Sequence, residues 1–310
     1  MTSILAALAP VFLLILFGWG LRRAGWFGEG FWADVDRLVF YVLFPAFLVI
    51  RIGTADLSGL VLGPMGLGIA TGLFAMATLA FALKPLFRVD GPGFGAVFQG
   101  CMRPNIYVGF AAADALFGVE GGILAAIVVA VGTPLVNVFA AVVLTLYGPD
   151  GSAGWRHALL AMARNPVILA IAAGLALNLS TLGLPPVLDD ALAVLARGTL
   201  AMALLSVGAG LQFRAARKAG GTVLAVTALK LAGLPALTLA ACLAFGADGL
   251  PLTVAVMFAS LPNSPTSYSM TRQLGGDHTT MAAIITVQTF AAMATMPAVL
   301  LLMGRFAGLG

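Results

Sequence analysis

The side chains best suited to chemistry in this sequence stand at 103–105, where arginine, proline and asparagine interrupt an apolar stretch. Arginine offers two parallel N–H donors to a carboxylate. A proline inside a helix removes a backbone donor and breaks the helix, at a cost of about 3 kcal/mol or more. A second Pro-Asn pair occurs at 262–263, within "SLPNSPTSYS". Breaks at membrane depth persist where they line an enclosed cavity, so the two stretches predict an anion site.

New half-helices are expected to begin at about Asn105 and about Asn263, because asparagine is a favoured N-cap. Pro265 suits a first helical turn, where its missing N–H costs nothing. Helix N-termini attract anions, most simply a carboxylate, through free N–H groups and a partial positive charge. Arg103 would add a formal charge to this site. An alternative left open is that Arg103 pairs with Asp114 or with freed carbonyl groups and only holds the broken helix.

Further polar side chains lie inside apolar stretches and are candidates for cavity lining or ion coupling. They are Asp114, Thr133, Asn137, Lys230 and Gln288. Hydrogen bonding between helices is the competing role for the uncharged ones. Asp114 is a candidate carrier of a coupling proton, and Lys230 belongs to a structural or a coupling network. No phosphate-binding pattern or metal-ligand cluster occurs, so neither a cofactor nor a metal is predicted.

The composition places these residues in a lipid bilayer. Hydrophobic residues make up 61% of the 310-residue chain and charged residues 9%, whereas soluble domains carry about 25% charged residues. Ten apolar runs approach or exceed the length of about 20 residues that spans a membrane, and spans in lipid must be helices or closed barrels. The ten runs are 3–21, 38–54, 60–83, 93–117, 121–146, 164–181, 192–212, 221–245, 250–273 and 279–303. An all-α integral membrane protein is predicted.

The lysines and arginines predict an orientation. With the N-terminus outside, eleven of the 16 fall in inner loops and three outside, while Arg103 and Lys230 lie within spans. This asymmetry follows the positive-inside rule. It predicts a multi-pass protein of the cell membrane, the inner membrane in a bacterium, with both termini outside and the linker at 147–163 inside. The net charge of +4 then reflects orientation, and no nucleic-acid partner is expected.

The two halves of the chain resemble each other. "PVFLLILFGWGL" at 10–21 aligns with "PVILAIAAGLAL" at 166–177, and the two Pro-Asn pairs align at nearly the same offset. The predicted organisation is a first five-helix repeat at 1–147, a cytoplasmic linker at 148–163 and a second repeat at 164–310. Because five is odd, the second repeat must be inverted, an architecture of secondary transporters.

Four stretches resemble the auxin efflux carrier family, which includes plant PIN-type carriers and bacterial malonate carriers. They are "RPNIYVGF", "RNPVILAIAAGL", "LKLAGLPAL" and "LPNSPTSYSMTRQLGGDHTTMAAIITVQT". The resemblance covers nearly the whole chain. It implies ten helices in two inverted five-helix repeats, with helices 4 and 9 crossing at prolines, as in the bile-acid-symporter-like fold. It also implies a scaffold part that forms a homodimer and a transporter part that moves against it.

Carried over by position, Pro104 and Pro262 are the crossing prolines, and Asn105 and Asn263 contact the substrate carboxylate. The stretch "LPNSPTSYS" departs from the family in its second proline, Pro265, and in its polar serines, where the plant carriers have an apolar version. The remaining predicted substrate-binding residues are Arg103, Tyr107, Ser264, Thr266 and Ser267. The polar serines and Arg103 favour a small polar carboxylate over an aromatic one.

The predicted function is secondary active transport of small organic anions, mono- or dicarboxylates such as malonate or malate, by alternating access. The alternative is a sodium-coupled bile-acid or organic-anion symporter, although buried carboxylates are nearly absent. An intramembrane enzyme is disfavoured, because the two histidines, His157 and His278, fall in predicted loops. No enzymatic activity is therefore expected.

Overall fold

The computed structural model describes residues 2–28, 30–55, 62–148, 163–180, 183–217 and 220–304. Most of the predicted linker at 148–163, with His157, lies outside the described residues. Within the described ranges, all regular structure is helical, as predicted. The α-helices are α1 (Thr2–Ala24), α2 (Phe31–Leu38), α3 (Phe44–Gly53), α4 (Leu62–Ala82), α5 (Lys84–Phe87), α6 (Gly91–Met102), α7 (Ile106–Tyr147), α8 (Pro166–Ser180), α9 (Pro186–Ala209), α10 (Phe213–Arg217), α11 (Gly221–Ala228), α12 (Leu234–Ala244), α13 (Gly249–Ala259), α14 (Pro265–Gln273) and α15 (His278–Met303).

Six helical segments of the described chain are long and apolar enough to cross a membrane. They are Ile4–Ala24, Gly63–Ala82, Gly91–Tyr147, Pro186–Ala209, Gly221–Ala244 and His278–Met303. Two further apolar helices, Pro166–Ser180 and Gly249–Ala259, are shorter. The predicted run at 38–54 lies in a helical segment that begins at Phe31. The length and composition of these helices make the chain a helical membrane protein.

The segment Gly91–Tyr147 is too long for one crossing. Its 57 residues would extend about 85 Å as a straight helix, whereas the hydrocarbon core is about 30 Å thick. It is interrupted between Met102 and Ile106 and again at Gly118, where φ is 61° and ψ is −145°. That backbone conformation is open to glycine and strained for other residues. The second interruption falls between the predicted runs 93–117 and 121–146.

Two π-helical segments, Val39–Leu43 and Leu229–Gly233, connect α2 to α3 and α11 to α12. Each is followed after one residue by a proline, Pro45 or Pro235. A proline cannot donate to the carbonyl four residues earlier and clashes with it. A widened turn relieves this clash while the helix continues. The second π segment carries Lys230 into the protein interior.

The helices pack mainly between the two halves of the chain. The most extensive pairings are α1 with α9, α3 with α8 and α4 with α12. The interrupted helices of the two halves pack on each other, because α13 contacts α7 and α14 contacts α6. The break between α6 and α7 is thereby brought next to the break between α13 and α14, in the interior. Aromatic side chains, among them Phe98, Phe110 and Phe258, are buried around them.

Candidate functional site

The two helix breaks meet through the backbone. The N–H of Asn105 donates a hydrogen bond to the carbonyl oxygen of Pro262 at 2.8 Å. Arg103 has an extended conformation, with ψ of 118°, as expected for the residue before a proline. Asn105 is also extended, with ψ of 96°, as is typical of a helix N-cap. The two breaks therefore lie against each other, and a backbone donor of the first is satisfied by a backbone acceptor of the second.

The helix that follows the first break begins as predicted. Asn105 is the N-cap of α7, and its Oδ1 accepts from the N–H of Val108 at 3.4 Å. Asn105 is fully buried, and its Nδ2 has no hydrogen-bond partner. A buried amide without a partner costs about 1–3 kcal/mol. This donor is therefore available to a rearranged state of the break.

The helix that follows the second break begins one residue later than predicted. Ser264, and not Asn263, is the N-cap of α14, because Pro265 occupies the first helical position and suits it. The Ser264 hydroxyl oxygen accepts from the N–H of Thr266 at 3.4 Å. The two Pro-Asn pairs thus match in sequence, while their asparagines have different roles.

Asn263 holds the second break to the first. Its Nδ2 donates to the carbonyl of Gln99 at 2.8 Å, and its Oδ1 accepts from the Ser267 hydroxyl. Its backbone N–H donates to Gln288 Oε1 at 3.0 Å, and Gln288 Nε2 donates to the carbonyl of Gly100 at 2.9 Å. All these groups are buried. The carbonyl of Gly100, to which Pro104 has no N–H to donate, accepts from Gln288, and the carbonyl of Gln99 accepts from Asn263 in addition to the N–H of Arg103.

Gln99 was not predicted as a site residue. It is buried one turn before the first break, and its Nε2 donates to the Thr271 hydroxyl at 2.8 Å. Its Oε1 is buried and has no partner. A polar side chain inside "GAVFQGCM" is a signal that could have identified it, because a buried amide in an apolar span needs a partner.

Arg103 is buried among neutral groups. Its guanidinium donates to Asn137 Oδ1 at 2.7 Å, to Thr266 Oγ1 at 3.3 Å and to Met270 Sδ at 3.2 Å. Its Nε has no partner. Asp114 pairs instead with Arg51, and within the described ranges no carboxylate lies within ion-pair distance of Arg103. A buried cation without a counter-charge is costly, so this position is suited to an anionic ligand.

Arg103 lies at a cavity with an empty volume of about 510 Å³. The cavity unites seven predicted residues: Arg103, Pro104, Tyr107, Thr133, Asn137, Ser264 and Thr266. The lining residues that were not predicted are Phe40, Ile106, Val136, Asn165 and Val167. Among these, Asn165 has a local signal, because it directly precedes Pro166 and its Oδ1 accepts from the N–H of Val167 at 2.9 Å.

A second cavity adjoins the first and is apolar. Its empty volume is about 420 Å³, and Pro104, Thr133 and Val136 line both cavities. The rest of its lining is contributed by Ile69, Leu73, Met102, Val128, Val129, Gly132, Leu234, Thr238, Ala255, Phe258 and Ala259. Pro104 therefore stands between a polar and an apolar compartment.

Two predicted ionisable residues lie outside both cavity linings. Lys230 is fully buried, and its Nζ donates to the carbonyl of Ala259 at 2.7 Å, at the end of α13. Asp114 is partly exposed and pairs with Arg51, two turns beyond the first break. Lys230 thus satisfies a carbonyl at the second break, as Asn263 and Gln288 do at the first.

Apolar helices that are interrupted at prolines and meet around buried polar groups define an integral membrane protein of the discontinuous-helix type. This arrangement occurs in secondary transporters, where such breaks form the substrate and ion sites.

Residues 155–300 match the family model described as membrane transport protein. The chain is also 26% identical over 293 residues to an uncharacterized transporter of Methanothermobacter thermautotrophicus, covering 93% of this chain and 94% of the relative. These matches confirm the family resemblance predicted from the sequence and support a membrane transporter.

Proposed function

We propose that the protein is a secondary active carrier of small organic anions, mono- or dicarboxylates such as malonate or malate. The observation that carries this proposal is the Arg103 guanidinium, which lies at a cavity lined by Asn137, Ser264 and Thr266 and contacts only neutral partners. A carboxylate at this position would supply the missing counter-charge. Bidentate hydrogen bonds from an arginine give such a contact both strength and orientation.

The rest of the cavity supports recognition of an anion. The first residues of α7 and α14 line it, including Ile106 and Thr266, and helix N-termini present N–H donors and a partial positive charge. Ser264, Thr133 and Asn137 add hydroxyl and amide groups. The predicted contacts from Asn105 and Asn263 would be indirect, because neither side chain lines the cavity.

We further propose two inverted repeats, at 1–147 and 164–310. The fourth and ninth spans, which are α6–α7 and α13–α14, would cross at Pro104 and Pro262. The exchanged pairing of α1 with α9 and of α3 with α8 supports this symmetry. Helices α1, α3, α8 and α9 would form the scaffold and the homodimer contact. The remaining long helices would move against it, which exposes the site to each side in turn. Both termini would lie outside the cell membrane and the linker inside.

Uptake by proteoliposomes tests the proposal. Labelled malonate and malate are offered to vesicles that contain the full-length protein, and empty vesicles provide the baseline. We expect saturable uptake of at least one acid, and competition by unlabelled acid. Imposed proton and sodium gradients identify the coupling ion. They distinguish proton-driven or uncoupled transport from the sodium-coupled alternative. If no carboxylate is taken up or bound, the proposed substrate class is wrong.

A further inference from the structure

Two charged side chains are buried within the described ranges, and both are cations: Arg103 and Lys230. Arg103 is 9% exposed and Lys230 is 0% exposed, while no aspartate or glutamate of these ranges is buried to this degree. The interior around the helix breaks therefore holds two basic side chains, and in the described ranges no carboxylate lies within ion-pair distance of either.

Each cation is held by neutral groups. Lys230 donates to the carbonyl of Ala259, whose position at the end of α13 adds the partial negative charge of a helix C-terminus. This dipole offsets part of the cost of burying an ammonium group but supplies no full charge. A ligand with two negative charges would balance both cations, whereas a ligand with one would leave an excess charge in the interior.

Lys230 is connected to the Arg103 cavity through its hydrogen-bond partner and an apolar cavity. Ala259, the hydrogen-bond partner of Lys230, lines the apolar cavity of about 420 Å³. That cavity shares Pro104 and Thr133 with the Arg103 cavity. Electrostatic interactions are weakly screened across apolar protein. The charge on Lys230 can therefore act on a ligand that it does not touch.

We infer that Lys230 is a specificity-determining residue, which makes the anion site select dicarboxylates over monocarboxylates. The inference rests on the proposed function and narrows its substrate class. Arg103 would contact one carboxylate directly. Lys230 would favour the second charge from behind the apolar cavity, while its hydrogen bond to Ala259 supports the end of α13.

Binding of two matched ligands to the purified protein tests this. Malonate carries two charges at neutral pH, and malonamate has the same skeleton with one carboxylate replaced by a neutral amide. We expect the wild-type protein to bind malonate at least about tenfold more tightly, on the scale of one weakly screened charge. Lys230→Gln keeps an N–H donor for Ala259 and removes the charge, so it should lower malonate affinity about tenfold and malonamate affinity much less. Lys230→Arg keeps the charge and should retain the preference.

The outcomes separate the two proposals. Equal affinities of wild-type protein for the two ligands would overturn the role of Lys230, even if no variant at this position folds. Equal losses of affinity for both ligands in Lys230→Gln would also overturn this role. Lys230 would then only support the end of α13. Absence of binding for malonate, malonamate and malate would instead count against the carboxylate site itself.

Discussion

Asn105 and Pro262 are joined by a backbone hydrogen bond of 2.8 Å, N–H to carbonyl oxygen, across the two breaks. The bond connects residues of opposite halves of the chain, at the points where both helices are interrupted. Neither break can close into a continuous helix while this bond is kept. The breaks therefore stabilise each other, and the cavity beside Arg103 depends on both.

Replacement of Arg103 tests the direct contact with the ligand. Arg103→Ala removes a charge-assisted bidentate donor, worth about 1.5–3 kcal/mol, so affinity for malonate should fall about tenfold to a hundredfold. The loss should be larger for a dianion than for a monoanion, because the Arg103 charge contacts one carboxylate and also attracts the second at longer range. Isothermal titration with malonate and malonamate measures both. Equal losses, or a protein that no longer folds, would favour a role for Arg103 in holding the broken helix.

Removal of Gln288 tests the support of the first break. Gln288→Leu leaves two buried backbone groups without a partner, the carbonyl of Gly100 and the N–H of Asn263. At about 1–3 kcal/mol for each group, the free energy of unfolding should fall by about 2–6 kcal/mol. Denaturant unfolding in detergent measures this. Thr78→Val is the control, because Thr78 is exposed on α4 and its replacement should change stability little. A similar loss of unfolding free energy in both variants would contradict the role of Gln288 in supporting the break.

Replacement of Pro104 tests the break itself. A proline disfavours the helical conformation of the residue before it, which keeps Arg103 extended. In Pro104→Ala, Arg103 can become helical and its guanidinium can leave the cavity. Uptake should then fall about tenfold or more, which is the scale of one misplaced charge-assisted hydrogen bond. The melting temperature should change little. Pro10→Ala provides a control, since Pro10 is exposed inside α1. Unchanged uptake in Pro104→Ala would show that the proline is dispensable.

Close packing between α4 and α12 depends on Gly68. A Cβ atom at this position would lie 2.7 Å from Cys242 Cα and 2.9 Å from its backbone nitrogen. Gly68→Ala should therefore destabilise the protein by about 1–3 kcal/mol through overpacking. Gly63→Ala, on the same helix, meets nothing within 4 Å and should be neutral or stabilising, because alanine favours helices. Thermal unfolding of the two variants compares them directly, and equal melting temperatures would refute the contact.

The ion pair of Arg51 with Asp114 connects α3 to α7, away from the cavity. Their side chains are 21% and 27% exposed, so the pair is only partly buried and its coupling should be about 1 kcal/mol. A double-mutant cycle with Arg51→Gln and Asp114→Asn measures it. We expect both single variants to retain the preference for malonate over malonamate.

Loss of proton-driven uptake in Asp114→Asn, with folding intact, would instead assign Asp114 to coupling.

Much of the fold was predictable because its causes are local. Hydropathy summed along the chain identified apolar helices, and Pro104 and Pro262 marked the breaks by removing backbone donors. The cap at Asn105 followed from its side chain. The shift of the second cap to Ser264 follows from the preference of Pro265 for the first helical position.

The sequence by itself determined where helices run and where they must break, since each of these depends on neighbouring residues. Only the tertiary structure decided which side chain forms a hydrogen bond or ion pair with which buried group. Gln288 reaches Gly100, Lys230 reaches Ala259, and Asp114 pairs with Arg51 instead of Arg103. These pairings depend on the register of helices that are distant in sequence. A buried carbonyl accepts any suitable donor, so residue type alone could not assign the partners.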